Sequence, residues 1–293
     1  MLYRRKILLA LIDAFGGSID KLRLQKMLFL LSQQQERPCY EFVPYKYGGY
    51  SFTASRDIHA MHEKGYLRED RHGITLTKKP YISSGLKPQD IKRIYELYQK
   101  YQSVDRDDLL REVYWKYPYY AISSEYLNRL GENVRRRVEQ FKPKDDGVVL
   151  FTIGYEGRSL ENYFNELIKG GVKSLIDVRY NPVSMKPGFS KRQLEKYCEK
   201  LGIAYKHIPE VGVVPQLRKH LKSEGDYYEL FTVYRHEILT NTLNTQREIV
   251  EILRRGRRIA LTCFEFDSHR CHRSHLAEAC SKLCDFDHRV VHL

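Results

Sequence analysis

Val148-Val149-Leu150-Phe151-Thr152-Ile153-Gly154 reads as an apolar strand, and Tyr155-Glu156-Gly157-Arg158-Ser159 carries it directly into a helix expected over residues 160–168. An unbroken apolar run is what a strand shows when both faces of its sheet are covered. The pattern repeats downstream. Strands are expected at 174–178, 203–208, 258–263 and 288–293, with helices at 191–201, 227–240, 246–254 and 274–283. That alternation predicts an α/β domain over residues 147–293, a mostly parallel sheet with helices on both faces. Sheets of this kind bind ligands beyond the carboxyl ends of their strands, so function is sought there.

Outward from this segment, 293 residues suffice for two domains. Hydrophobic residues make up 42% and charged residues 30%, a globular composition rather than a disordered one. No apolar run approaches the roughly 20 residues that span a bilayer, and the start of the chain lacks the pattern of a cleaved signal. A soluble, cytoplasmic protein with no membrane partner is therefore expected. The six cysteines are scattered, which suits free thiols rather than a disulfide framework. Cys280 and Cys284, four apart on a helix, are expected to share a core-facing side. The net charge is +13, divided as +8 before residue 147 and +5 after it. An excess on both halves favours a polyanionic partner, DNA or RNA. The 23 tyrosines, many beside basic residues, suit base stacking and ordinary half-buried packing equally.

In the first half, helices are expected at 3–16, 22–31 and 51–64, followed by short strands at 66–67 and 74–76 around a polar turn. Three helices and a hairpin describe a winged helix over residues 1–84. The strings Lys21-Leu-Arg-Leu-Gln-Lys-Met-Leu-Phe-Leu-Leu31 and Phe42-Val-Pro-Tyr-Lys-Tyr-Gly-Gly-Tyr-Ser-Phe52 resemble bacterial winged-helix modules, including antitoxin-like domains found beside toxins and defence genes. Gly49 stands where that pattern often has proline. The resemblance implies a module that binds DNA or a protein partner, with Arg56, His59 and Lys64 as the contacts on its third helix. Residues 85–146 are expected to be a helical connector, with pieces at 91–102, 107–115 and 125–141 and a linker at 142–147. Its run Arg135-Arg136-Arg137 is a solvated face or a phosphate contact.

Each strand end in the second half carries polar residues. The first offers Tyr155, Glu156, Arg158 and Ser159, with Ser159 a candidate N-cap beside an anion-binding helix terminus. The second offers Asp177, Arg179 and Asn181. Asp177 and Arg179 share one face of the strand, so they pair with each other or act on a ligand. The third offers His207. The fourth is richest: Cys263-Phe-Glu265-Phe-Asp-Ser-His269-Arg-Cys271-His272-Arg273-Ser274.

Three chemistries are open for that loop. One is a metal site drawn from Cys263, His269, Cys271 and His272. The second is thiol catalysis: Arg270, Arg273, His272 and a helix N-terminus should lower the pKa of a cysteine here. Strand, cysteine loop and helix resemble rhodanese-like sulfurtransferases, as does Leu175-Ile-Asp-Val-Arg179. The third reading, preferred at this stage, needs neither metal nor other cofactor. It is a nucleotide or nucleic-acid pocket in which carboxylates act on water or a sugar–base bond.

Thr152-Ile-Gly-Tyr with Arg158-Ser159, Asp177-Val-Arg179 with Pro182, and Cys263-x-Glu265 with Cys271-His-Arg-Ser274 together resemble the prokaryotic domain of unknown function 488 family over residues 150–293. The resemblance implies a Rossmann-like α/β fold with its site at these residues. A hydrolase cleaving glycosidic or phosphodiester bonds, in DNA repair, modification or phage defence, is the functional expectation. Glu156, Asp177, Glu265 and Cys271 are its candidate catalytic residues. Tyr155, Arg158, Ser159, Arg179, Asn181, His207, Cys263, His272 and Arg273 are its candidate substrate and phosphate contacts. A rhodanese-like thiol enzyme and a non-catalytic, nucleotide-sensing DNA-binding regulator are the alternatives.

Overall fold

Five strands form one parallel sheet in the second half of the chain: β6 (Val149–Gly154), β7 (Ser174–Asp177), β8 (Ala204–His207), β9 (Arg258–Cys263) and β10 (Arg289–His292), with the edge strands β8 and β10 more exposed than the central three. They lie in the order β10-β6-β9-β7-β8, and each neighbouring pair is parallel. The structure, a computed structural model, describes residues 1–71, 73–77, 85–218, 221 and 223–293. It divides into two compact units, Met1–Lys142 and Pro143–Leu293.

In the second unit alternate residues of each strand serve opposite faces, as the two-residue side-chain period requires. Leu150, Ile176, Ile259, Leu261 and Cys263 share one core with the helices α9 (Glu224–Val233), α10 (Leu243–Gly256) and α11 (His272–Lys282). Cys280 is buried there and Cys284 packs against the same core. On the other face Tyr163 of α7 (Leu160–Lys169) bonds Thr262 of β9 at 2.8 Å, and Phe164 meets Tyr197 of α8 (Lys191–Lys200). The long helix expected at 227–240 is α9 continued by a π-helical turn at Tyr234–Leu239.

In the first unit α1 (Tyr3–Ala14), α2 (Lys21–Ser32) and α3 (Phe52–Glu63) pack with an antiparallel sheet of β1 (Ser18–Ile19), β5 (Ile74–Leu76) and β4 (Leu67–Glu69). Between α2 and α3 lies a hairpin, β2 (Val43–Tyr45) and β3 (Gly48–Tyr50), which the sequence reading did not include. α4 (Pro88–Tyr101), α5 (Arg106–Lys116) and α6 (Glu132–Glu139) contribute Ile94, Leu97, Leu109, Leu110, Val134 and Val138 to the same core as α1–α3. The expected boundary at residue 84 falls outside the described residues. The helix expected at 125–141 begins only at Glu132, because Gly131 has φ +97. A backbone in that region cannot continue a right-handed helix.

Asp57 of α3 is buried and takes Arg4 at 2.5 Å and Arg5 at 2.7 Å, so the basic start of the chain is tied to the first unit's core. His59 on the same helix and Lys64 just after it are exposed, whereas Arg56 reaches back to Thr53. Among the described residues no helix is long and apolar enough to cross a membrane.

Candidate active site

The loops after β6 and β9 are bonded to each other. The backbone N–H groups of Tyr155 and Glu156 donate to the Phe264 carbonyl at 3.1 and 2.9 Å, and Phe266 N–H donates to the Glu156 carboxylate at 3.0 Å. The approach leaves no room at Gly154, where a Cβ would stand 1.7 Å from the Glu265 carbonyl oxygen. Only glycine permits this crossing. Arg273 holds the β9 loop from beneath. It is fully buried, and its guanidinium donates to the carbonyls of Glu265 and Phe266 at 2.5 and 3.0 Å and to Thr152 at 3.3 Å. Its three donors are thereby turned inward.

Asp177 and Arg179 pair with each other. Arg179 donates to both carboxylate oxygens, at 2.8 and 2.5 Å, and to Tyr155 Oη and the Phe189 carbonyl, both at 2.9 Å. Tyr205 donates its hydroxyl to Asp177 at 2.7 Å. Burial first, and then Asp177 itself, push that phenol well above its ordinary pKa, so it remains a donor. Tyr155 is buried by stacking on Phe189, with ring centroids 4.5 Å apart, while Arg179 covers its other flank. This network shapes one wall of the site.

A cavity of about 600 Å³ opens beside it, lined by Tyr155, Arg179, Asn181, Lys186, Cys263 and His272 among others. Its rim includes the exposed side chains of Tyr180, Val183, Met185 and Phe264. Lys186 donates to the Tyr155 carbonyl at 2.8 Å, and partial burial lowers its pKa. Beyond Asn181 and the Pro182 that accompanies Asp177-Val-Arg179, no sequence signal marked this 180–186 lining, which has no periodicity.

The cavity lining includes Cys263 and His272, beside which Cys271 lies. His272 Nε2 bonds the Val178 carbonyl at 3.0 Å, which makes Nε2 the protonated nitrogen and leaves Nδ1 an acceptor. That Nδ1 lies 3.7 Å from Cys263 Sγ and 4.0 Å from Cys271 Sγ. Cys263 in turn is 3.2 Å from the Glu265 carboxylate. Cys263, Cys271 and His272 are all buried. The Cys271 thiol, expected to be acidified, is instead pushed well above its ordinary pKa by complete burial, then by Cys263 and Glu265; Arg273 lowers it less. Desolvation outweighs the guanidinium because the group is cut off from water.

The other sequence candidates sit around this centre. Glu156 is exposed and spent on Phe266 N–H. Arg158 stacks over Phe266 at 5.0 Å with its Nε buried and, among the described residues, unbonded. Ser159 caps α7 through the Asn162 N–H at 3.0 Å. Asn181 is exposed at the cavity. His207 lies at the end of β8, its Nε2 bonding the Arg179 carbonyl at 2.8 Å. His269 is exposed on the turn Ser268–Arg270.

A family profile described as "Domain of unknown function DUF488" matches residues 159–280, all within the second unit. That span includes Asp177, Arg179, Cys263, Glu265, Cys271 and His272. No curated protein and no solved structure matches the chain.

Proposed function

We propose that the second unit is a Rossmann-like hydrolase that acts on a nucleotide or on nucleic acid. The observation that carries this reading is that Cys263 and His272 line one cavity beyond the strand ends, with the Glu265 carboxylate 3.2 Å from the Cys263 sulfur. The exposed Tyr180 and Phe264 on its rim suit a base, which stacks on aromatic faces whatever its sequence. Lys186 on the wall, with Arg158 nearby on Phe266, supplies positive charge for phosphate. Glu265, beside Cys263, orients the attacking water toward a glycosidic or phosphodiester bond. In this reading Asp177 and Arg179 position Tyr155 rather than touch the reacting atoms.

The first unit is proposed to be a winged-helix module for nucleic acid or a protein partner, in keeping with a role in repair, modification or defence. Its support is the succession of three helices and a three-stranded antiparallel sheet, with His59 and Lys64 exposed on and just after α3. The whole chain's +13 charge adds to it. The test uses the full chain with end-labelled single- and double-stranded DNA and RNA and with free nucleotides at low salt. Turnover that Glu265→Gln abolishes, with the circular dichroism spectrum unchanged, is expected. If the protein neither binds nor alters any of them, the reading fails.

One observation favours a second reading. An imidazole anchored at Nε2 with Nδ1 3.7 Å from Cys263 is also the arrangement of a thiol and its general base, as a sulfur-transfer enzyme requires. Rapid alkylation of Cys263 by iodoacetamide near neutral pH supports it; slow labelling removes it.

A further inference from the structure

Cys263 ends β9, and Cys271 and His272 stand at the start of α11; two sulfurs and Nδ1 come within 4.8 Å of one another. A tetrahedral zinc ion with Zn–S near 2.3 Å and Zn–N near 2.1 Å holds its sulfur and nitrogen ligands about 3.6 Å apart. The separations here, 3.7 and 4.0 Å, are close to that edge. The histidine is also oriented as a ligand. Its Nε2–H bonds a backbone carbonyl, Val178 O at 3.0 Å, which is the outer contact that fixes the tautomer of metal-bound imidazoles. A thiol and its base would need only one of these cysteines. The second buried thiol, aimed at the same nitrogen, is accounted for by shared coordination.

We propose that Cys263, Cys271 and His272 are the three protein ligands of a zinc ion whose fourth position opens to the cavity. Two thiolates and an imidazole select zinc over the oxygen-seeking magnesium and calcium. The opening faces the cavity because Cys263 and His272 line it. Three protein ligands with one open position is the pattern of a catalytic rather than a structural zinc site. Use of the bound water in catalysis rests on the hydrolase reading above; occupancy by zinc does not. A ligated Cys263 is no free nucleophile, so the inference also decides against the thiol reading. His269, the other ligand that the sequence offered, lies exposed outside the trio.

The experiment measures zinc in the full chain purified without chelator, then follows cobalt(II) titration of the metal-stripped chain by absorption. The expected result is about one zinc per chain and a cobalt spectrum with thiolate charge-transfer and tetrahedral ligand-field bands. Cys263→Ser and Cys271→Ser should each lower zinc occupancy about tenfold or more, and His269→Ala should leave it unchanged. Because buried cysteine variants can unfold, the wild-type cobalt spectrum and the slowing of Cys263 alkylation by added zinc stand as independent readouts. A folded wild-type chain that retains no zinc and gives no such cobalt bands overturns the site. Zinc bound with no turnover leaves the site standing and removes the hydrolase reading. Turnover undiminished in a chain shown to be zinc-free keeps the hydrolase reading and overturns the catalytic use of the metal.

Discussion

Arg179 in the second unit and Lys26 in the first are buried cations that each line a cavity, and the two are treated in opposite ways. Arg179, 5% exposed, faces the carboxylate of Asp177 through two bonds and has two further acceptors. Lys26 of α2, 2% exposed, has among the described residues one hydrogen bond, to the Gly49 carbonyl at 2.8 Å. Burial lowers its pKa to about 7. The charge of Arg179 is balanced where it lies, by the Asp177 carboxylate at the wall of its cavity. The lysine in the first unit is a cost that the fold carries, in a cavity of about 500 Å³ shared with Lys21, Lys46, Arg106 and Glu69. A buried cation is a scaffold when several acceptors meet its donors, a carboxylate at Arg179 or two carbonyls and a hydroxyl at Arg273, and a liability when it has little more than one carbonyl, as at Lys26.

Removing one partner of the balanced pair is the strongest way to break this contrast. Among the described residues, Arg179→Met leaves the fully buried Asp177 with Tyr205 as its remaining side-chain donor. The expected loss is about 3 to 5 kcal/mol of the second unit's stability, read from urea unfolding of the full chain. Asp177→Leu combined with Arg179→Met should recover most of it. A single variant costing less than about 1 kcal/mol would mean that the pair is not holding the wall.

The unbalanced lysine predicts an effect of opposite sign. Unfolded, Lys26 takes up its proton below about pH 10.4, whereas folded it does so only below about 7. Between those values the unfolded chain binds more protons, so stability rises with pH across the window. At about 1.4 kcal/mol per pH unit, the folded state carries roughly 5 kcal/mol of penalty well below pH 7 and roughly 4 kcal/mol at pH 7 itself. Lys26→Met removes that penalty but leaves the Gly49 carbonyl without its donor, which costs about 1 to 3 kcal/mol. A net gain of about 2 kcal/mol at pH 7, shrinking to nothing or reversing near pH 10, is expected by thermal denaturation. A gain independent of pH would show that the lysine is charged in the folded chain.

The contrast was only half visible in the sequence. Apolar strands alternating with amphipathic helices made the sheet of the second unit legible, and the cysteines and histidines of 263–272 marked its centre. Asp177 and Arg179 could be seen to share a face, but only packing brings Tyr205, Tyr155 and Phe189 around them. In the first unit, β2 and β3 escaped notice because three-residue strands carrying Pro44, Gly48 and Gly49 show no alternation. The burial of Lys26 was not read from the sequence: the structure buries every residue of α2 from Leu24 to Ser32, which leaves a lysine inside that run no solvent face to occupy. The Cys271 acidity expected from neighbouring arginines did not materialise because sequence distance carries no information about desolvation.

Ser159 sharpens the contrast at its smallest scale. If the polar groups of the second unit are mostly spent on structure, its hydroxyl serves the Asn162 N–H as a helix cap and not a phosphate. Ser159→Ala should then cost about 1 kcal/mol of stability. Ser159→Asp separates the two roles. An aspartate keeps the cap and adds a favourable charge at the start of α7, so stability should return to the wild-type value within about 0.5 kcal/mol. The same charge repels a phosphate. Nucleotide affinity equal to wild type in Ser159→Asp, measured by titration calorimetry, assigns the residue to the cap alone. A stable variant with affinity reduced about tenfold or more would instead place phosphate at the end of α7 and widen the site toward Arg158.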